Sequence, residues 1–366
     1  MESRISPPPI DPAWNEAHGK ARLTSVAIHN SHLVPYDTTA AAVCVGSGNL
    51  VNQRLGLVLT NRHIAGDGPS AGYASFKESH KYRIQTVYRD PGHDFAFVGL
   101  RTDSGRVPED LPEALSLAPH KAKQGIEIHR VSNEPGVGGN IGQGFVVRTN
   151  CTPPETVGGG YQDFNTEYIS LAMVAPGGSS GSVAVDIQGD GIGLTCSSSE
   201  LDCFMLPLDL PLRALKKLEK GEFVTRGTLQ TRWALRSARE CEMLGLAASW
   251  LERFRAEKVG HLLCAVTVLA DGPTDDKVEP GDLLLALDGE LVTSLLQVEA
   301  YMDDHVHEDV ELTCWAALGG RAYQARCTIE DLHALTPSHI VRWNGTVFHD
   351  LPLNTAMQYD MPARGV

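Results

Sequence analysis

The run Pro-Gly-Gly-Ser-Ser-Gly-Ser at positions 176–182 is the strongest candidate for chemistry in this sequence. A glycine-rich turn can present one serine hydroxyl at its apex and direct backbone N–H groups at a single point in front of it. Glycine is needed where such amides adopt unusual φ/ψ values. We therefore predict Ser180 as a nucleophile, with the N–H groups of Gly178 and Ser180 as an oxyanion hole. The run alone would fit a flexible Gly/Ser loop equally well.

A histidine and an aspartate upstream would make that serine reactive. A serine hydroxyl needs a general base at neutral pH, and histidine is the side chain with a suitable pKa. His63 ends the run Leu-Thr-Asn-Arg-His, and Asp94 opens an apolar run 31 residues later. An aspartate there can orient the imidazole and stabilise the imidazolium. Asp67 and Asp90 compete for this role, but neither leads directly into a buried strand.

The order His63, Asp94, Ser180 within one β-rich segment is the order of chymotrypsin-like enzymes. The same run also contains Gly-x-Ser-x-Gly with Ser179 as the nucleophile, which is typical of α/β-hydrolases. That motif leads from a strand into a helix, whereas the residues after 181 have the pattern of a strand pair. The chymotrypsin-like interpretation is therefore favoured. A catalytically inactive protein that only binds unfolded proteins or C-terminal peptides is the main alternative.

The elements that must position these residues are predicted to be short strands. From about residue 20 to 212, β-type runs are broken by Gly, Pro and Asn, a pattern typical of a sandwich or barrel. A short amphipathic helix follows at 212–222, and residues 223 to about 330 mix strands with two helical stretches, which predicts a second, α+β domain. Residues 1–18 are Pro-rich and polar and are predicted to be a flexible extension.

Charge and composition exclude several classes of protein. The formal net charge of −14 repels phosphate backbones, so no direct nucleic-acid partner is expected. No apolar run is long enough to cross a membrane, and the N-terminus has no signal-peptide pattern, so an intracellular protein of the nucleus or cytoplasm is expected. The eight scattered cysteines are typical of reduced thiols. No cofactor or metal site is predicted.

The motifs Thr-Asn-Arg-His (60–63), His-Asp-Phe-Ala-Phe-Val (93–98) and Gly-Gly-Ser-Ser-Gly-Ser (177–182) resemble those of the chymotrypsin-like HtrA serine proteases. More specifically, the chain resembles the large fungal nuclear HtrA proteases linked to apoptosis. That resemblance continues through four further segments: 204–209, 279–290, 331–337 and 348–351. In that family, PDZ-like modules and a degenerate second protease half follow an active protease.

The resemblance implies a mainly β fold in consecutive units. A chymotrypsin-like double β-barrel protease domain is expected at 19–222 and an α+β PDZ-like domain at 223–330. Residues 331–366 match the start of a second, truncated PDZ-like module. Of these, we expect the part up to residue 351 to dock on the rest of the protein and the part from Pro352 onward to be loose.

The resemblance also implies an activity and its sites. We expect a serine endopeptidase that acts by acyl-enzyme chemistry on unfolded or specific proteins, in quality control or apoptosis, and that can form a homo-oligomer. Val174 is expected at the base of the substrate pocket. The wall of that pocket is expected from Leu194, Thr195 and Cys196, which favours a small or medium aliphatic P1 residue. The Leu244-Gly245-Leu246 run is the predicted carboxylate-binding loop of the PDZ-like domain, unless it is only a glycine turn after a helix.

Overall fold

The structure is a computed structural model, and it describes residues 11–37, 39–76, 80–134, 137–152, 163–198 and 203–363. It begins with helix α1 (Pro12–Thr24). The six strands that follow close into a barrel in the order β1-β2-β3-β6-β5-β4. They are β1 (Ser25–His32), β2 (Val43–Asn52), β3 (Leu57–Thr60), β4 (Ser70–Phe76), β5 (Lys81–Arg89) and β6 (Ala96–Arg101), with helix α2 (Arg62–Ala65) between β3 and β4.

A second barrel closes in the order β10-β11-β12-β9-β8-β7. Its strands are β7 (Glu127–Glu134), β8 (Val137–Cys151), β9 (Tyr168–Ala172), β10 (Val183–Val185), β11 (Gly191–Ser198) and β12 (Cys203–Pro207), and helix α3 (Asp209–Lys220) follows them. One apolar core joins the two barrels, because Leu59 and Phe97 of the first pack in the same cluster as Val183 and Leu206 of the second. Two six-stranded barrels confirm the predicted mainly β, chymotrypsin-like fold.

The next part of the chain is an α+β unit. Its main sheet has the order β14-β15-β16-β18-β19, β17 pairs with β16, and β13 pairs with β20. The elements are β13 (Gly227–Thr228), β14 (Thr231–Ser237), α4 (Ala238–Met243), α5 (Ala248–Ala256), β15 (His261–Val268), β16 (Leu283–Leu287), β17 (Glu290–Leu291), α6 (Leu295–Asp304), β18 (Asp309–Ala316), β19 (Arg321–Thr328) and β20 (Glu330–Asp331). Within the described ranges, no helix is long and apolar enough to cross a membrane.

The expectation of a flexible N-terminal extension is wrong for residues 12–18. They begin helix α1, in which Asp11 caps the Ala13 N–H at 2.9 Å and Pro12 occupies the first turn. Trp14 and Ala17 are buried, and the Trp14 ring stacks on His129 of β7 at 3.6 Å between ring centroids. The helix therefore forms because it can bury this face against the second barrel, a partner that local composition does not reveal.

The C-terminal segment departs from expectation on both sides of residue 351. Docking of the part before it holds only near its start, where Leu332 and Leu335 are buried. The hairpin of β21 (Val341–Trp343) and β22 (Thr346–Phe348) is exposed, whereas helix α7 (Leu353–Tyr359) is not loose. Three of its side chains, Leu353, Ala356 and Met357, pack with Phe164 and Leu269 in a small apolar core. The segment after Pro352 is thus held by an amphipathic face that the short sequence window did not reveal.

Candidate active site

The predicted base and its acid partner meet because β3 and β6 are paired neighbours. Thr60 at the end of β3 lies opposite Ala96 at the start of β6, so the residues just after β3 face those just before β6. His63 Nδ1 lies 2.8 Å from Asp94 Oδ2, and the His63 backbone N–H donates to Asp94 Oδ1 at 3.0 Å. One carboxylate therefore fixes both the ring and the backbone of the histidine.

Two opposing effects set the pKa of His63. Burial lowers it by disfavouring the charged ring, and the Asp94 carboxylate raises it through its charge and its hydrogen bond, with smaller contributions from Asp163 and Asp67. The carboxylates prevail, so the pKa of His63 lies above its usual value. The His63 ring is therefore more basic than an ordinary imidazole.

Strand β2 of the first barrel holds the serine turn of the second. The Ser47 N–H donates to the Ser180 carbonyl at 2.8 Å, and Ser47 Oγ donates to the Gly178 carbonyl at 3.0 Å. A Cβ atom on Gly46 would lie 2.6 Å from Ile64 Cδ1 and 3.0 Å from the Ser180 carbonyl oxygen. The backbone at Gly46 thus lies between the histidine helix and the serine turn and brings both into one place.

The turn itself requires glycine at position 181. Gly181 has a φ of +85°, and a Cβ atom there would collide with the Ser47 carbonyl and Thr60 Oγ1. Its N–H donates to the Thr195 carbonyl at 3.0 Å, which ties the turn to β11. Among the residues described, no direct hydrogen bond joins the Ser180 hydroxyl to the His63 ring. Such contacts are often long before substrate binds, and this one stays a prediction.

The backbone donors around Ser180 divide into two groups. The N–H groups of Ser179, Gly181 and Ser182 are used by the carbonyls of Pro176, Thr195 and Ser179. Within the described part of the chain, the N–H groups of Gly178 and Ser180 have no acceptor. Gly178 adopts a φ of +93°, a conformation open mainly to glycine. The two donors without an acceptor are the pair predicted for the oxyanion hole.

The competing aspartates have other partners. Asp67 Oδ1 lies 3.2 Å from Arg62 Nε. Asp90 is buried and pairs with the Arg226 guanidinium. Sequence reasoning also missed two residues that hold Asp94. Asn61 Nδ2 donates to its carbonyl at 2.9 Å, and Asp163 Oδ2 accepts its N–H at 3.0 Å.

Of these two, only Asn61 gave a local signal, because it lies two residues before His63. Asp163 is 69 residues from Asp94 in the chain, and only the packing of the second barrel against the first brings them together.

The predicted substrate pocket needs correction. Val174 does not form a pocket base, because its side chain is 83% exposed. Met173 and Ala175 on either side pack against the core of the second barrel, so the alternation of an extended chain turns Val174 outward. Leu194 points into the shared core instead of a pocket. Only Thr195 and Cys196 lie beside the site: Thr195 bonds the serine turn, and Cys196 Sγ lies 3.3 Å from Asn61 Nδ2.

The predicted carboxylate-binding loop at Leu244–Gly245–Leu246 is a helix end. The three N–H groups donate to the carbonyls of Glu240, Glu242 and Cys241, respectively, which completes the C-terminus of α4. Gly245 has the left-handed φ of +78° that this ending favours, and the Leu246 side chain is buried. With its donors already used, this turn cannot form the predicted nest for a peptide carboxylate.

The sequence is similar to known peptidases. Residues 46–194 match the family model of the trypsin-like peptidase domain. The pro-apoptotic serine protease NMA111 of Vanderwaltozyma polyspora is 39% identical over 358 residues, which are 96% of this chain and 36% of that protein. NMA111 of Saccharomyces cerevisiae is also 39% identical, over 96% of this chain and 35% of its own length. The chain thus spans about a third of the curated relatives it matches.

Solved structures show the same fold. The HtrA-type protease AlgW with a tripeptide superimposes with a TM-score of 0.63 at 19% identity, covering 87% of this chain and 97% of that one. The serine endoprotease from Yersinia pestis gives a TM-score of 0.57 at 18% identity, covering 88% and 99%. The predicted resemblance to HtrA-type serine proteases is confirmed by these similarities.

Proposed function

We propose that this chain, which carries the trypsin-like peptidase domain of an HtrA-type serine protease, is a serine endopeptidase that uses His63, Asp94 and Ser180. The proposal rests on the two hydrogen bonds between Asp94 and His63, one to the ring and one to the backbone N–H. The serine turn, which is anchored on β2, lies next to this pair. A carboxylate that only capped a strand would not need to bond the imidazole.

The chemistry follows from the positions of these groups. His63 Nε2 takes the proton of Ser180 as its Oγ attacks the substrate carbonyl, and Asp94 stabilises the imidazolium that forms. The N–H groups of Gly178 and Ser180 stabilise the oxyanion of the tetrahedral intermediate. His63 then gives its proton to the leaving amine, and water releases the acyl group in the reverse sequence.

Cleavage of an unfolded protein such as casein tests this function against the non-catalytic alternative. Wild type should degrade casein, and Ser180→Ala should not. A chain that binds casein without cleaving it at any pH between about 5 and 9 would support the binding protein instead.

Substrate choice is the finer part of the proposal. Thr195 and Cys196, the pocket-wall residues that lie beside the site, carry no charge, so small or medium aliphatic P1 residues fit best. The cleavage sites in a digested unfolded protein should have Val, Ala, Ile or Thr at P1. Sites dominated by Lys and Arg would contradict this preference.

Peptide recognition by the α+β unit is a second candidate function, favoured by the position of β14 at the edge of its sheet. Asn165 of the protease domain bonds that edge like a peptide, because its Nδ2 donates to the Thr231 carbonyl and its Oδ1 accepts the Trp233 N–H. Beside it lies a cavity of about 260 Å³ lined by Leu235 and Leu295 among others. A peptide strand can add to such an edge.

Asn165→Ala should therefore strengthen the binding of apolar peptides, measured by fluorescence anisotropy. Weaker binding by that variant would contradict the assignment, as would the absence of binding in both proteins.

A further inference from the structure

A buried charged cluster joins the loop before Asp94 to the α+β unit. Arg226, in the connection between α3 and β13, is only 2% exposed. Its guanidinium pairs with Asp90 of the protease domain through Nη1. On the other side it pairs with two carboxylates of α6: Nη2 lies 3.0 Å from Glu299 Oε2, and Nε lies 2.9 Å from Asp303 Oδ1.

Asp90 shapes the loop that carries Asp94. Its Oδ1 accepts the N–H groups of Gly92 at 2.9 Å and His93 at 2.7 Å, and its Oδ2 accepts the Tyr88 hydroxyl at 3.0 Å. His93, the residue directly before Asp94, is itself buried, and its Nδ1 lies 3.1 Å from Arg226 Nη2. The path of the chain into Asp94 is thus fixed by one carboxylate and one guanidinium.

The same loop is held from the histidine side. Arg62, the neighbour of His63, donates from Nη1 to the carbonyls of Asp90 at 2.9 Å and Pro91 at 2.7 Å. The loop at 90–94 is therefore clamped between the helix that carries His63 and the connection to the α+β unit.

We propose that Arg226 is a positioning residue for the His63–Asp94 pair, and that it acts through Asp90. With Arg226 in place, the carboxylates of Asp90, Glu299 and Asp303 share one buried cation. Without it, these three buried side chains lose the guanidinium that they share, although Asp90 keeps the N–H groups of Gly92 and His93, and such groups recover solvation or separate. The loop at 90–94 then relaxes, so the geometry of the proposed site depends on the docking of α6.

A second ion pair across the same interface provides the matched control. Arg213 of α3 bonds Asp304 of α6 at 2.6 Å and the Ala300 carbonyl at 3.3 Å. The two side chains are 37% and 51% exposed. Among the described residues, neither has a hydrogen bond or ion pair to the loop at 90–94. Arg213→Gln thus removes an arginine from this interface without removing a bonded partner of Asp90.

The test compares Arg226→Gln with Arg213→Gln in the full chain, with a peptide substrate across pH. We expect Arg226→Gln to lower kcat by about tenfold or more with little change in KM, because small displacements of catalytic groups can cost up to about a hundredfold. The acid limb should move to lower pH, since His63 loses the effect of Asp94 while Asp163 and Asp67 remain. Arg226→Lys should recover part of kcat, and Arg213→Gln should stay within about twofold of wild type.

A folded Arg226→Gln with unchanged kcat and an unchanged acid limb would overturn the proposal. If that variant does not fold, the kcat of Asp303→Asn is compared with that of Asp304→Asn. Of these two residues, only Asp303 pairs with Arg226. Equal kcat in those two variants would overturn it as well. The proposal rests on the proposed peptidase function, which is tested separately by labelling of wild-type Ser180 with a fluorophosphonate. If wild-type Ser180 is not labelled, both the peptidase function and the role of Arg226 are refuted. If it is labelled, the kinetics of the variants test the role of Arg226 alone.

Discussion

Asp94 holds His63 at two atoms, and this double contact explains why the histidine is oriented before any substrate binds. Its Oδ2 faces the ring nitrogen and its Oδ1 faces the backbone N–H. The carboxylate is itself held through its own backbone by Asn61 and Asp163. These contacts hold the His63 and Asp94 side chains in place, whereas a free histidine and a free aspartate would first have to reorient.

The pH dependence of peptidase activity tests this arrangement at the residue scale. Only the neutral ring of His63 can accept the serine proton, and Asp94 raises the pKa of that ring. Activity should therefore fall as pH decreases through a midpoint above the usual histidine value of about 6.5. Asp94→Asn should lower both the midpoint and kcat. A rate that stays flat between about pH 5 and 8 would contradict a histidine base.

At the scale of elements, the serine turn depends on a backbone that approaches it closely. β2 supplies two of the hydrogen bonds that hold the turn, both through Ser47. The turn can pass so near to β2 only because position 181 carries no side chain. The first barrel therefore helps to position Ser180, the predicted nucleophile, on the second barrel.

Two glycines of the same turn give a matched prediction. Gly181→Ala places a methyl group against the Ser47 carbonyl at a φ of +85°, so it should cost about 1–3 kcal/mol of unfolding free energy and most of the activity. Gly177→Ala should change the unfolding free energy by less than about 0.5 kcal/mol, because its Cβ would meet nothing within 4 Å. Urea unfolding and peptide cleavage measure both effects. Equal losses in the two variants would contradict the close-approach argument.

Sequence reasoning identified this turn and the order of the three predicted residues because each lies in a short motif with its own local chemistry. It misplaced Val174 because a resemblance in sequence does not show which face of an extended chain points inward. It left two interpretations of Leu244–Leu246 open, a carboxylate-binding loop and a glycine turn after a helix, because the two look alike in sequence, and the structure shows the turn. Helix α1 was missed because its burial depends on His129, more than 100 residues away.

At the scale of the whole molecule, the C-terminal segment joins the two barrels to the α+β unit. Helix α7 packs with Phe164 and Leu269. His349 stacks on Tyr36 of the first barrel at 4.4 Å between ring centroids, and its Nε2 accepts the Asp37 N–H at 2.9 Å. Together with the Arg226 cluster, these specific contacts hold the α+β unit against the two barrels, so the two are not joined by a loose linker alone.

Limited proteolysis tests this packing of α7. Helix 353–359 should survive about as well as the barrels, whereas the exposed hairpin before it should be cut first. Met357→Ala should cost about 2–4 kcal/mol locally and expose the helix to the protease, because Met357 is buried. Tyr359→Ala is the control, since its side chain is exposed. Rapid trimming of α7 in the wild type would contradict the docking seen here.

The central claim, that Ser180 is the activated nucleophile of a peptidase, is tested most directly by the rate of fluorophosphonate labelling with the adduct mapped by mass spectrometry. Ser179 is the matched control, because it is the neighbouring hydroxyl in the same turn but its side chain is buried. We expect a covalent adduct on Ser180 in wild type, none in Ser180→Ala, and labelling retained at least in part in Ser179→Ala. Equal labelling of Ser180→Ala and wild type, or an adduct on Ser179, would contradict it.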